Sequence, residues 1–137
     1  MDSHNFSVCK LNGSGIHIFV VVVIETIKCR FLIDTGASHS VIDKSFYEKK
    51  LGRKLKVIKQ ETTGLHSTVM ESFTGSLKVM EVGKLVVKKY AIPAVDLSHV
   101  NSTYKKLKKP AIQGIIGSDL LMKYAVVIDY GNWKLFF

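Results

Sequence analysis

Phe31-Leu32-Ile33-Asp34-Thr35-Gly36-Ala37-Ser38 runs three apolar residues straight onto an acid and then into a small, turn-prone stretch. A strand that ends this way presents its carboxylate to a cleft on a rigid support. Gly36 permits a tight turn that a residue with a Cβ accepts less easily. Backbone N–H groups in such a turn can point back at the carboxylate and hold it. The plainer reading of Asp34 is a turn aspartate, a residue that tolerates tight loops well. Asp-Thr-Gly alone recurs by chance; the apolar lead and the following Ala37-Ser38 sharpen the signal.

Upstream, Ile16-His17-Ile18-Phe19-Val20-Val21-Val22-Val23-Ile24 is rich in β-branched residues and reads as a strand. Glu25-Thr26-Ile27 turns the chain into a second strand, Lys28–Ile33, that ends at Asp34. Residues 1–15, with Asn12-Gly13-Ser14-Gly15, read as a flexible N-terminal segment. Downstream, Ser40-Val41-Ile42 suits a third short strand. Asp43–Leu51 suits a short helix with Asp43 as N-cap and Gly52 past its end. From residue 55 to 97 the pattern is strands and hairpins. Leu55–Glu61 and Thr68–Phe73 flank Gly64, Leu77–Val82 and Leu85–Val87 flank Gly83, and Tyr90–Leu97 carries Pro93, a mark of an edge or interruption. Residues 98–110 read as a polar, lysine-rich loop. Ile112–Ile116 is a short strand, Ser118–Tyr124 a short helix with Ser118 as N-cap, and Ala125–Asp129 with Asn132–Phe137 a last hairpin. The expected fold is mainly β with one or two short helices, the domain proper covering residues 16–137.

A chain of 137 residues is the size of one domain, and 47% hydrophobic with 23% charged is a globular composition. Two cysteines, Cys9 and Cys29, are too few for a disulfide framework and lack metal spacing, so both read as free thiols. His17, His39, His66 and His99 show no ligand spacing, so neither metal nor cofactor is expected. The apolar run Ile16–Ile24 is shorter than the ~20 residues a membrane helix takes, and what precedes it lacks a signal-peptide pattern. No membrane association is expected, and the cytoplasm is the expected location. The net charge of +9 comes mostly from scattered lysines without an RNP or zinc-finger pattern. A solvated basic surface is the favoured reading, with a nucleic-acid-associated protein as the weaker one.

Some eighty residues after Asp34 comes Gly114-Ile115-Ile116-Gly117-Ser118-Asp119-Leu120-Leu121. Two apolar residues, a glycine and a helix start resemble the second half of an aspartic-protease lobe. Together with Leu32–Ser38, the chain resembles the retropepsin-like (retroviral-type) aspartic proteases from about Ile16 to Phe137. The resemblance implies a closed β-barrel-like lobe, one per chain. Two chains would pair so that two Asp34 carboxylates meet across a twofold axis and hydrolyse a peptide or protein substrate. It also implies that Thr35 hydrogen-bonds across the dimer and that Gly36 supplies the turn and an N–H. Ala37 and Ser38 would line the substrate, and the flap would fall at Glu61–Ser67, with Gly64, Leu65 and His66 over the bound peptide.

Two positions depart from the viral pattern. Where those enzymes often carry an acid and an arginine that pair near the dimer interface, this chain has Ser38 and Ser118. The loss is matched and leaves no orphan charge, but it removes one support of the viral-type dimer, so a weak homodimer is expected. Asp119, at a helix start, and Asp129, before Tyr130-Gly131, read as structural. A non-catalytic dimerisation or peptide-binding module on the same fold is the alternative function.

Overall fold

The β-branched run Ile16–Ile24 and the segment Ile27–Ile33 are the longest strands on the N-terminal side of the computed structural model, which describes residues 1–11, 13, 15–61 and 69–137. In chain order the elements are β1 (Ser3–Asn5), β2 (Ser7–Lys10), β3 (Ile16–Ile24), β4 (Ile27–Ile33), β5 (Val41–Asp43) and α1 (Lys44–Lys50). They continue with β6 (Lys56–Glu61), β7 (Val69–Val82), β8 (Leu85–Val95), α2 (Ser98–Lys106), β9 (Gly114–Ile116), α3 (Ser118–Lys123), β10 (Val127–Asp129) and β11 (Lys134–Phe136).

Eight strands form one sheet in the order β2-β3-β4-β9-β5-β8-β7-β6, and an extra pairing of β3 with β7 closes six of them into a ring. β4 runs parallel to β9, with Leu32 opposite Ile115, and β5 runs antiparallel to β9. The two sequence motifs therefore lie side by side on adjacent strands. Inside the ring, Val20, Val22, Ile24, Phe31, Ile42, Leu77, Met80 and Ile92 are almost fully buried. Alternation along each strand sends their neighbours to the other face, and there a second apolar cluster forms from Cys9, Phe19, Leu32, Leu97, Tyr104 and Ile112. The fold is mainly β, as the strand pattern implies.

Asp43 caps α1 as the sequence predicts, its carboxylate accepting from Phe46 N at 3.1 Å, and Gly52 beyond the helix end has φ of +67°. Cys9 and Cys29 are both free and buried. No helix among the described residues is long and apolar enough to cross a membrane.

Four expectations need correction. Residues 3–5 and 7–10, expected within a flexible segment, are strands, because β1 pairs with β11 and β2 extends the sheet beside β3. Residues 98–106 form a third helix rather than a loop; Asn101 ties it down, its side chain donating to Ile112 O at 2.9 Å and accepting from Ile112 N at 2.8 Å. The two strands expected on either side of residue 75 are one, as are the two around residue 88. Gly75 marks no turn: a Cβ there would come within 2.6 Å of the Tyr47 ring. Ser118 is not the cap of α3, which begins after Gly117, and its hydroxyl donates to Ala37 O at 3.1 Å.

Candidate active site

Asp34 sits one residue past the end of β4, and its N–H donates to Ile116 O of β9 at 2.9 Å, so the strand pairing carries through to the acid itself. The chain then folds back. Ala37 N donates to Asp34 O at 3.1 Å, and Gly36 N donates to the Asp34 carboxylate at 2.9 Å. Gly36 does not use the left-handed backbone region. A Cβ at this position would lie 3.3 Å from Asp34 Oδ1, so glycine serves here by close approach rather than by unusual φ. Asp34, Thr35, Gly36 and Ser38 are exposed and Ala37 is half-buried. The side chains of Asp34 and Thr35 open onto a cleft lined by Ile16, His17, Leu32 and Tyr130, and Asp34 is its one carboxylate among the described residues.

Beneath this turn the second motif grips the first. Ala37 O accepts from Ser118 N at 2.8 Å as well as from the Ser118 hydroxyl. A Cβ on Gly117 would stand 2.7 Å from Ala37 O and 2.8 Å from the His39 backbone, so only glycine lets the two loops touch. Ser40, with no exposure at all, is the centre of the contact. Its hydroxyl donates to Asp119 Oδ1 at 2.7 Å and accepts from Gly117 N at 2.9 Å, while its own N–H reaches the same carboxylate oxygen at 2.9 Å. The Tyr90 hydroxyl donates to the other oxygen at 3.0 Å. Burial pushes the Asp119 carboxyl up, but the Ser40, Leu120 and Tyr90 donors outweigh it and hold the group below the usual carboxylate range. Burial, then the Asp119 carboxylate, push the Tyr90 phenol the other way, so it stays protonated and donating.

Sequence reasoning placed Asp34, Thr35, Gly36, Ala37 and Ser38 together, and they form one turn. Gly64, Leu65 and His66 lie outside the described residues. Ser40 carries no functional signal in the sequence, because a hydroxyl ahead of two apolar residues resembles any strand start. Asp119 at a helix start suits the helix dipole, but its side-chain partners are Ser40 and Tyr90. The signal that could have found the pair is a serine six residues after the acid matched by an acid directly after Gly-Ser.

A family model described as aspartyl protease matches residues 20–120. Among solved structures, the chain is similar to a retropepsin-like aspartic protease from Rickettsia conorii, with TM-score 0.59 and 19% identity over 98% of this chain and 89% of that one. It is also similar to the retroviral protease-like domain of Ddi1 from Leishmania major, with TM-score 0.52 and 19% identity over 82% of this chain and 80% of that one. None of the curated protein sequences matches the chain.

Proposed function

The chain belongs to the aspartyl protease family, and we propose that it is an endopeptidase whose water is activated between the Asp34 carboxylates of two copies. The observation that carries this reading is the Asp34 turn: an acid on a fixed strand end, oriented by Gly36 N and open to a cleft. One carboxylate per chain makes half of the constellation. Two carboxylates brought within a few ångström cannot both ionise cheaply and share one proton, and aspartic proteases are the standing example. The ionised member takes a proton from the bound water, and the protonated member donates to the scissile carbonyl. The pair titrates as a unit. The substrate is an extended peptide or protein segment lying across both cleft halves, with Thr35, Ala37 and Ser38 beside it. No metal or cofactor enters this chemistry.

The test is Asp34→Asn, assayed on a peptide pool with wild type alongside. The variant retains the far-ultraviolet circular dichroism and melting behaviour of a folded chain, because Asp34 is exposed and outside the core. Its cleavage falls below detection. Cleavage by folded Asp34→Asn at a rate near wild type would sink the proposal. A wild type that binds peptides without cutting them would turn it into the non-catalytic binding module.

A further inference from the structure

His17 lies on β3 one residue beyond the Ile18–Ile33 pairing, so the sheet register sets it beside Asp34, on the face that also carries Phe19 and Leu32. It lines the same cleft as Asp34. Its ring is not free to turn. Helix α2 lies across this face, and Tyr104, 3% exposed, packs edge-on against both His17 and Phe19, with centroids 5.9 and 5.6 Å apart. The Tyr104 hydroxyl stands 2.7 Å from His17 Nδ1. Burial pushes the Tyr104 phenol up, so it keeps its proton. That hydroxyl has no second acceptor among the described residues, so it donates to Nδ1, and in the tautomer that matches, the ring N–H is on Nε2. The result is a fixed N–H donor in the wall of the cleft, without a protein acceptor among the described residues. Nearby, the Arg30 guanidinium stacks 3.8 Å over Phe19 with no carboxylate partner among the described residues, which adds positive potential to this face.

We propose that His17 is a specificity-determining residue of the Asp34 cleft, binding a substrate side chain that ends in an amide or carboxylate oxygen (Asn, Gln, Asp or Glu) next to the scissile bond. Tyr104 is the positioning residue that fixes the ring. The inference rests on the peptide-cleft reading above. An aliphatic side chain in that place would cover the Nε2 donor without satisfying it. A donor that the ligand covers but leaves unpaired discriminates against the residue that lacks the acceptor. For one half-buried donor the discrimination is about tenfold.

The experiment compares peptides that differ only by Gln or Leu, or Glu or Met, at each residue flanking the cleaved bond. Wild type favours the oxygen-bearing member about tenfold in kcat/KM at one of these positions. His17→Leu brings that ratio to about one, whatever it does to the absolute rates, because the ratio compares two peptides on the same variant. Tyr104→Phe keeps the ring packing and loses the preference mainly through KM. The nitrogen shifts of the imidazole report the mechanism directly: wild type shows Nε2 protonated and Nδ1 accepting, and Tyr104→Phe loses that asymmetry. No preference in wild type, or a preference that survives His17→Leu, overturns the proposal. If nothing is cleaved, the same peptide pairs are titrated calorimetrically. A Gln-over-Leu preference lost in His17→Leu then upholds the specificity and drops the peptidase reading, and equal binding overturns the specificity.

Discussion

Ser40 shows how one hydroxyl can hold a site that it never touches. It is wholly buried, it satisfies Gly117 N, and it gives two hydrogen bonds to Asp119. Ser40→Ala keeps the backbone bond but strands Gly117 N–H and removes the shortest bond to the carboxylate. Leaving a buried donor unpaired costs about 1–3 kcal/mol. The expected loss of unfolding free energy is about 2 kcal/mol, read from the urea midpoint at constant slope. Activity should fall as well, because the loop from Ala37 to Ser40 carries the Asp34 turn. A midpoint unchanged within error would show that Asp119 is held well enough by Ser40 N–H and Tyr90. Legibility in the sequence divides along the same line. The Asp34 turn is readable because its geometry is local: four consecutive residues make its bonds. The Ser40–Asp119 bond joins residues far apart in the chain, and no periodicity or cap rule encodes it. Even Gly36, read correctly as a turn glycine, serves through space beside Asp34 rather than through φ.

Elements were legible where they carry their own signal and illegible where a partner supplies it. The valine run of β3 and the Asp43 cap of α1 are of the first kind. Helix α2 is of the second: it has no side-chain N-cap bond and few apolar residues, and it stands because Leu97 and Tyr104 are covered by Phe19 and Leu32. The β3–β4 turn is another such case. Glu25 and Thr26 take φ of 48° and 78° without a glycine, and positive φ is unusual for non-glycine residues. A distant clamp holds the turn. Arg53 forks onto the Glu25 carboxylate at 2.6 and 2.8 Å and donates to Ser76 O at 2.7 Å, while Lys78 N reaches Glu25 at 2.9 Å. The Arg53 hydrogen bond is the main cause that lowers the Glu25 carboxyl from 4.5 to about 2. A folded-state value below the unfolded one contributes stability that is present above about pH 4.5 and is lost as pH falls toward 2. Because both partners are partly solvated, Arg53→Met should cost about 1–2 kcal/mol at pH 7. The difference between wild type and variant should shrink steadily from pH 4.5 to 2 in urea titrations. A difference that stays constant over that range would mean that Arg53 acts through packing on Tyr47 rather than through the ion pair.

At the scale of the whole molecule the proposed paired site raises the question of how two copies would meet. An apolar end such as Trp133–Phe137 can serve in two ways, by pairing with a partner's termini or by packing on its own lobe. The chain takes the second. β11 is the central strand of a three-stranded sheet between β1 and β10, Asp2 and Phe137 exchange backbone bonds at 3.0 and 3.1 Å, and Leu135 is 2% exposed. A partner that exchanged terminal strands would first have to displace β1 from β11. Some apolar surface stays open at the cleft: Ile16 and Tyr130 are 54% and 62% exposed. Ile16 and Tyr130 line the same cleft as Asp34. Burying such residues favours association, while +9 on each copy opposes it. The balance predicts a weak dimer that tightens as salt screens the repulsion. Sedimentation over a concentration series should show a monomer–dimer equilibrium shifting toward dimer with added sodium chloride. Specific activity should rise with protein concentration along the same curve. Tyr130→Glu places a charge on the open face at the cost of one edge-on contact with Phe6, so it should move both curves to higher concentration by about tenfold or more. Both halves of the site come from Asp34 only if the two curves move together. Full specific activity from a strictly monomeric species at every concentration would overturn the paired-Asp34 site and require a second acid within one chain.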